Sequence, residues 1–478
     1  MPLDGLSNDD LGTILAKQKA ANIRDGIPSL EQRQVWIDKA IDLLVTHGEA
    51  LNQAMAEDFG HRSIDQSNLT DIAGSIGALK FSRKHMRGWM KPEKRKVEFP
   101  LGLLGSKAQV QYQPKGVVGI ISPWNFPVNL TFTPLANVFA AGNRAMIKPS
   151  EFTERTSALM QELFAKYYTE EEVAVVTGGP DIGAAFSKLP FDHLVFTGAT
   201  SIAYHVMRAA ADNLVPLTLE LGGKSPVILG ESANLEKAAS RIMAGKTLNA
   251  GQICLAPDYA FVPESKTREF VGAAQASVEK MFPSGLKDNY DYTSVVNQRH
   301  YERLNSYLDD AREKGAEVVE INPTGDNFSQ QPHHKMAPHI VINPTDDMKV
   351  MQDEIFGPIL PIKSYTETRD AVAYINDNPR PLGLYYFGDD AAERDMVLNS
   401  TTSGGVTVND VIFHVAQEDL PFGGVGPSGM GAYHGQDGFK EFSHKKAIYT
   451  QTGSELLAMM RPPYGDAFRK QVAGRMKK

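Results

Sequence analysis

Val117-Val118-Gly119-Ile120-Ile121-Ser122-Pro123-Trp124-Asn125-Phe126-Pro127 opens on a short apolar run and ends in a loop stiffened by two prolines. An apolar run of this length without polar alternation is buried on both faces, as in a parallel strand covered by helices. Runs of the same kind recur at 145–148, 173–176, 194–196 and 226–229. Helical stretches lie between them, such as 200–213, where Ile202, Val206, Met207 and Ala210 fall on one face. Strands alternating with helices at this pitch predict βαβ units and an α/β fold with a doubly wound sheet. Upstream, 10–57 read as helix; past 255 the alternation resumes at 259–262, 318–321, 339–342, 360–365 and 406–409, which predicts a second α/β layer. The glycine-rich stretch 421–438 is expected to be irregular.

A chain of 478 residues suits two or three domains. Its 42% hydrophobic and 22% charged residues are those of an ordinary soluble globular protein. The net charge of −8 argues against a nucleic-acid partner, which would ask for a basic face. Two basic stretches, seven Lys and Arg in 83–96 and five in 469–478, read as solvated faces. A single cysteine excludes an intrachain disulfide. Asp4, Asp9 and Asp10 are unlike the basic start of a signal peptide, and no apolar run approaches the ~18 residues needed to cross a bilayer. A cytoplasmic protein without membrane insertion is the expectation.

Several tempting motifs fail on context. Gly424 to Gly429 spells G-x-G-x-x-G, but Pro421 and Phe422 precede it and Pro427 interrupts it, where a strand and a helix are required. Gly223-Lys224-Ser225 resembles the end of a phosphate loop, yet the first glycine of that motif would fall on Thr218. Neither a nucleophile elbow nor a zinc-protease helix motif is present, and one cysteine cannot build a thiolate-rich metal site. No metal is expected.

Six segments can carry chemistry. Cys254, after Gly251-Gln252-Ile253, has small neighbours that leave room for a substrate; a buried inert thiol is the competing reading. Glu220 closes a strand-like run before Gly222-Gly223, where an apolar setting would raise its pKa toward that of a general base. Asn125, in the rigid loop, can donate to a developing oxyanion, with Phe126 lining a pocket and Trp124 beside it. Lys148 and Glu151 at a strand end suit the hydroxyls of a ribose, with a surface ion pair as the alternative. Gly198, between strand and helix, suits a pyrophosphate. Glu354, before Phe356-Gly357-Pro358, could meet a second ribose.

Taken in order, the segments PWNFP, KPSE, FTGAT, ELGGKSP, GQIC, EIFGP and PFGGVGPSGMG resemble the aldehyde dehydrogenase superfamily from about residue 30 to residue 450. Cys254-Leu255-Ala256-Pro257-Asp258-Tyr259 is similar to its class 3-like branch, which includes bacterial coniferyl aldehyde dehydrogenases. The resemblance implies NAD(P)-dependent oxidation of an aldehyde, with an aromatic aldehyde such as coniferyl aldehyde expected and a medium- or long-chain aliphatic one as the alternative. It implies Cys254 as nucleophile, Asn125 as oxyanion donor and Glu220 as base. Lys148, Glu151, Gly198, Trp124, Glu354 and Phe356 would hold the cofactor, and Phe126, Phe422 and His434 would line the substrate tunnel. A carboxylate at Glu151 favours NAD over NADP, which stays open. The family often has serine at position 199 and glycine at 203, where this chain has Ala199 and Ala203.

The implied architecture is a Rossmann-like cofactor domain (1–80 and 105–225), a second α/β catalytic domain (226–415), a bridging β element (81–104 and 416–450) and a tail (451–478). The bridging element would make a homodimer contact. A thiol-dependent esterase, or an inactive structural homologue, are the readings from other classes.

Overall fold

The computed structural model describes residues 8–99, 101–453 and 458–477; Asp4 and Lys478, which enter the reading of the two ends, lie outside them. The chain divides into two compact units: Met1–Trp89 with Pro114–Ser443, and Met90–Gln113 with His444–Lys478. Among the described residues the larger unit holds two mostly parallel sheets.

In the first sheet the strand order is Gly429–Met430, Leu217–Glu220, His193–Thr197, Val117–Ile121, Arg144–Lys148, Val173–Val175. Val117–Ile121 pairs in parallel with Arg144–Lys148 on one side and His193–Thr197 on the other. The chain therefore builds outward to Val173–Val175 and then returns across the sheet. That reversal opens a crevice at the C-terminal ends of Val117–Ile121 and His193–Thr197, the usual ligand position in such sheets. Ser122 to Pro127 and Gly198 are the residues that follow those two ends.

The second sheet runs Glu317–Glu320, His339–Ile342, Ile359–Tyr365, Tyr259–Pro263, Pro226–Leu229, Gly383–Phe387, Gly405–Val408. Only the Glu317–Glu320 edge is antiparallel. Val227 and Leu229 enter one apolar core with Ala260 and Val262, while Ile228 enters another with Tyr259 and Phe261. Both faces are thus buried, which explains unbroken apolar strands; each such side chain contributes about 1.5–3 kcal/mol.

Three local expectations change. The helical stretch 10–57 is two helices, Asn8–Asp25 and Leu30–Asp58, separated at Gly26 (φ 69°) and restarted by Ser29, whose Oγ accepts from Gln32 N at 3.2 Å. In the helix Thr200–Ala211 the buried face is Ala203, Val206 and Ala210, while Ile202 is 51% exposed. The stretch 421–438 is not wholly irregular, since Gly429–Met430 pairs with the Glu220 strand and Gly435–Glu441 is helical.

The smaller unit carries a sheet ordered Glu93–Arg95, Lys107–Pro114, Ser443–Thr450. Residues 81–89 continue the helix Gly74–Trp89, and 416–443 stay with the larger unit. No helix among the described residues is long and apolar enough to cross a membrane.

Candidate functional site

The helix Leu235–Thr247 runs into a tight turn, Leu248–Gly251, in which Asn249 (φ 49°) and Ala250 (φ 52°) are both left-handed. Such a backbone costs roughly 1–2 kcal/mol per residue and persists only where its surroundings enforce it. Here they do. Asn249 Nδ2 donates to Asn125 O (3.0 Å) and Gln252 O (3.2 Å), and its main-chain N–H donates to Gln66 Oε1 (3.0 Å). Gln252 Nε2 donates to Asn249 O and Ser294 O, while its Oε1 accepts from Val296 N. Gly251 is packed so closely that a Cβ would stand 2.4 Å from Gly357 O.

The turn delivers Cys254, the free thiol, in a partly exposed position. The amides of Cys254 and Leu255 hydrogen-bond its sulfur, yet burial, then Glu354 and Glu220, push its pKa well up. The resting group is a thiol, and ionising it requires a base or the loss of neighbouring negative charge.

Glu220 ends the strand Leu217–Glu220, 2% exposed, with neither carboxylate oxygen partnered. Burial, with help from Glu441, raises its pKa well above the carboxylate range. Asn125 is 3% exposed, and its Nδ2 donates to Gln252 O at 3.1 Å, two residues before Cys254. A side-chain amide carries two protons, so one remains to donate. Glu220 thus lies within electrostatic reach of Cys254, and Asn125 is tied to the turn that carries the thiol.

The candidate cofactor residues lie along the crevice. Trp124 meets Phe356 edge-on at 5.3 Å, and His300 and Phe152 complete the aromatic cluster. Lys148 is 3% exposed and spends two of its three protons, on Pro149 O (2.9 Å) and Glu151 Oε2 (3.3 Å). The ion pair forms from a buried ammonium to a carboxylate that is 35% exposed. Glu354 carries a buried, unpartnered Oε1; burial, then Asp258, lifts its pKa to about 8. The Gly198 amide donates to Glu220 O at 3.0 Å, so its N–H is taken, and a Cβ there would meet the Phe196 ring at 2.7 Å. Ala199 is the N-cap and makes no side-chain bond to the first turn, while Thr200 Oγ1 turns to Pro427 O. An orphaned carboxylate, a spare ammonium proton and an uncapped helix start fit a dinucleotide's ribose hydroxyls and pyrophosphate.

Phe422 and His434, 5% and 4% exposed, stack at 5.3 Å. His434 adopts φ 83° and its Nδ1 is buried without a partner; burial holds its pKa down at about 3, so the ring is neutral. Phe126 is half-buried and packs against the Arg62 guanidinium at 5.2 Å. Sequence reasoning missed Tyr433, whose hydroxyl is buried, unpartnered and within electrostatic reach of Glu220 and Cys254. It also missed Arg62, Gln66, Asp71, Asn249, Gln252 and His300; only proximity in the fold marks them.

The discarded motifs are structural. Val425 N donates to Ser428 Oγ and Leu221 N to Ser428 O, so the glycine-rich turn braces the strand that carries Glu220. Lys224 bonds Asp258, Val350 O and Asp353 O.

The aldehyde dehydrogenase family matches residues 15–448. A probable coniferyl aldehyde dehydrogenase of Caulobacter vibrioides is 63% identical over 98% of this chain and 97% of its own length. A coniferyl aldehyde dehydrogenase of a Pseudomonas species is 53% identical over 96% and 95%. Among solved structures, the substrate-bound AldH of Staphylococcus aureus superposes with a TM-score of 0.91 at 34% identity, over 97% of this chain and 99% of that one. With the family match, the identities and the fold in agreement, the chain belongs to the aldehyde dehydrogenase family, whose members are NAD(P)-dependent oxidoreductases acting on aldehydes.

Proposed function

We propose that this enzyme oxidises an aromatic α,β-unsaturated aldehyde of the coniferyl type to its acid, with Cys254 as the nucleophile. The observation that carries the mechanism is the Asn125 amide hydrogen-bonded to Gln252 O at 3.1 Å, which aims an oxyanion donor at the turn bearing Cys254. The substrate class rests on the two coniferyl aldehyde dehydrogenases to which the chain is 63% and 53% identical.

The Cys254 sulfur, its proton released to water at its partly exposed position, adds to the carbonyl carbon, and the oxyanion accepts from the spare Asn125 amide proton and the Cys254 backbone N–H. The nicotinamide of NAD(P)+, when bound, supplies the hydride acceptor. Glu354, Phe356 and Trp124 would hold that end of the cofactor, the uncapped helix start after Gly198 would take the pyrophosphate, and Lys148 with Glu151 would take the adenosine ribose. The Glu151 carboxylate opposes a 2′-phosphate, which favours NAD. Glu220, whose buried carboxylate oxygens have no partner, draws a proton from the water that releases the acid from the Cys254 thioester. Phe422 and His434 wall the aldehyde's path, with Phe126 behind them. The larger unit supplies cofactor and catalytic layers, and the smaller sheet is the contact for a cytoplasmic homodimer.

The test is a kinetic panel of coniferyl aldehyde, benzaldehyde, hexanal and decanal with NAD and with NADP. The highest kcat/KM is expected for coniferyl aldehyde with NAD. A maximum at decanal makes it an aliphatic-aldehyde enzyme, and nucleotide-independent ester hydrolysis outrunning every oxidation makes it an esterase.

A further inference from the structure

We infer that residues 62–71, which touch none of the reacting atoms, form a positioning brace that locks the Asn125 loop and the Cys254 turn into one register. The brace centres on a buried ion pair, Arg62 with Asp71, 2% and 0% exposed. Withdrawing two charges from water is costly, and an apolar pair of similar volume often stabilises a fold as well or better, so bulk stability is a poor account of it. Its hydrogen bonds give a better one.

Every nitrogen of the guanidinium is used. Arg62 Nε donates to Ser67 Oγ (3.1 Å), Nη2 to Asp71 Oδ2 (2.7 Å) and Nη1 to the main-chain carbonyl of Asn125 (2.6 Å). Its plane is packed against Phe59 and Phe126, at 4.7 and 5.2 Å from the ring centres. Asp71 Oδ1 accepts from the amides of Val128 (3.2 Å) and Asn129 (3.1 Å). The pair therefore grips the chain at Asn125 and again at Val128–Asn129, and the Asn125 side chain projects from the first of those grips.

The same segment holds the nucleophile turn. Gln66 Oε1 accepts from the amide of Asn249, a left-handed residue of that turn, at 3.0 Å, and Gln66 Nε2 donates to Asp291 O at 2.6 Å. Asn249 Nδ2 shares the Asn125 carbonyl with Arg62. Ser63 N donates to Thr293 Oγ1, and the next residue, Ser294, accepts from Gln252 Nε2. Asp71 sits on a π-helical turn, Asn68–Ala73, and turns of this kind concentrate at functional sites. One short segment thus fixes both the oxyanion donor and the sulfur, whose relative placement sets the rate.

The inference rests on the roles proposed for Asn125 and Cys254, and the test separates the two. Arg62→Met alone strands a buried carboxylate and invites unfolding, so the working variant is Arg62→Met/Asp71→Asn, which removes both charges and keeps an acceptor for Val128 and Asn129. Rates are taken per folded molecule, with the folded fraction read from near-ultraviolet circular dichroism, so unfolded protein does not count. The expected result is a kcat lower by roughly a hundredfold with the dinucleotide KM unchanged. In an Asn125→Ala background the same pair of substitutions should cost less than in the parent, because part of its effect acts through Asn125. The rate of Cys254 alkylation by iodoacetamide should also change, and this readout does not depend on the role of Asn125. Parent-like kcat and alkylation, or a full multiplicative loss in the Asn125→Ala background, overturns the brace. A parent-like kcat in Asn125→Ala alone, with altered alkylation in the double variant, instead overturns the role given to Asn125.

Discussion

The carboxylate of Glu354 rests directly on the α-carbon of Gly222: a Cβ there would stand 2.0 Å from Glu354 Oε2. The Gly223 amide hydrogen-bonds the same carboxylate, so the glycine pair after Glu220 is the cradle in which Glu354 sits. The two acidic groups that face Cys254 are therefore linked through one turn. Gly222→Ala is expected to push Glu354 out and raise the dinucleotide KM about tenfold, the worth of one good hydrogen bond. An unchanged KM removes Glu354 from the cofactor site.

Cys254→Ala should abolish aldehyde oxidation while leaving dinucleotide binding intact, measured by quenching of protein fluorescence. Sustained turnover by that variant would end the nucleophile assignment.

Glu220→Gln retains the shape but not the base. Deacylation should slow by about 10²–10⁴-fold, leaving a burst of reduced nucleotide equal to the enzyme concentration. A proportionate loss of burst and steady state would place Glu220 before the thioester instead.

Asn125→Ala removes the amide aimed at the oxyanion. A kcat loss of roughly 10²–10³-fold is expected, with little change in dinucleotide KM. Rapid-mixing kinetics should place the loss in the burst phase.

Alkylation of Cys254 should be slow at neutral pH and accelerate into the alkaline range, because burial and two carboxylates raise the thiol's pKa. Glu354→Gln takes away the larger of the two carboxylate effects, so its alkylation profile should shift to lower pH. No shift would mean that Glu354 does not govern the sulfur.

Glu220 also sets a stability gradient. Its pKa is about 4.5 when unfolded and well above that when folded. The folded state holds the proton more tightly, so its advantage is complete below the unfolded value and is lost as pH rises through the folded one. Glu220→Gln should accordingly raise Tm relative to the parent at neutral and alkaline pH but not in acid, as read by thermal unfolding across pH.

The sequence by itself determined the α/β alternation, because a strand buried on both faces must be apolar throughout and Val117–Ile121 is. It also singled out Cys254, since a lone thiol among small residues admits few roles, and it placed Glu220 at a strand end next to glycines. Only the tertiary structure decided how these meet. Asn125 and Gln252 are 127 positions apart and Arg62 and Asn125 are 63, separations over which no local pattern reports contact. It showed that the Gly198 amide is already taken by Glu220 O and that Ala203, not Ile202, faces the core. It buried Lys148, turned Phe126 beneath Arg62, and brought Tyr433 within reach of the thiol. Local sequence reports what a residue is able to do; which groups share one desolvated pocket depends on how distant strands and turns pack, and that alone decides which of those abilities is used.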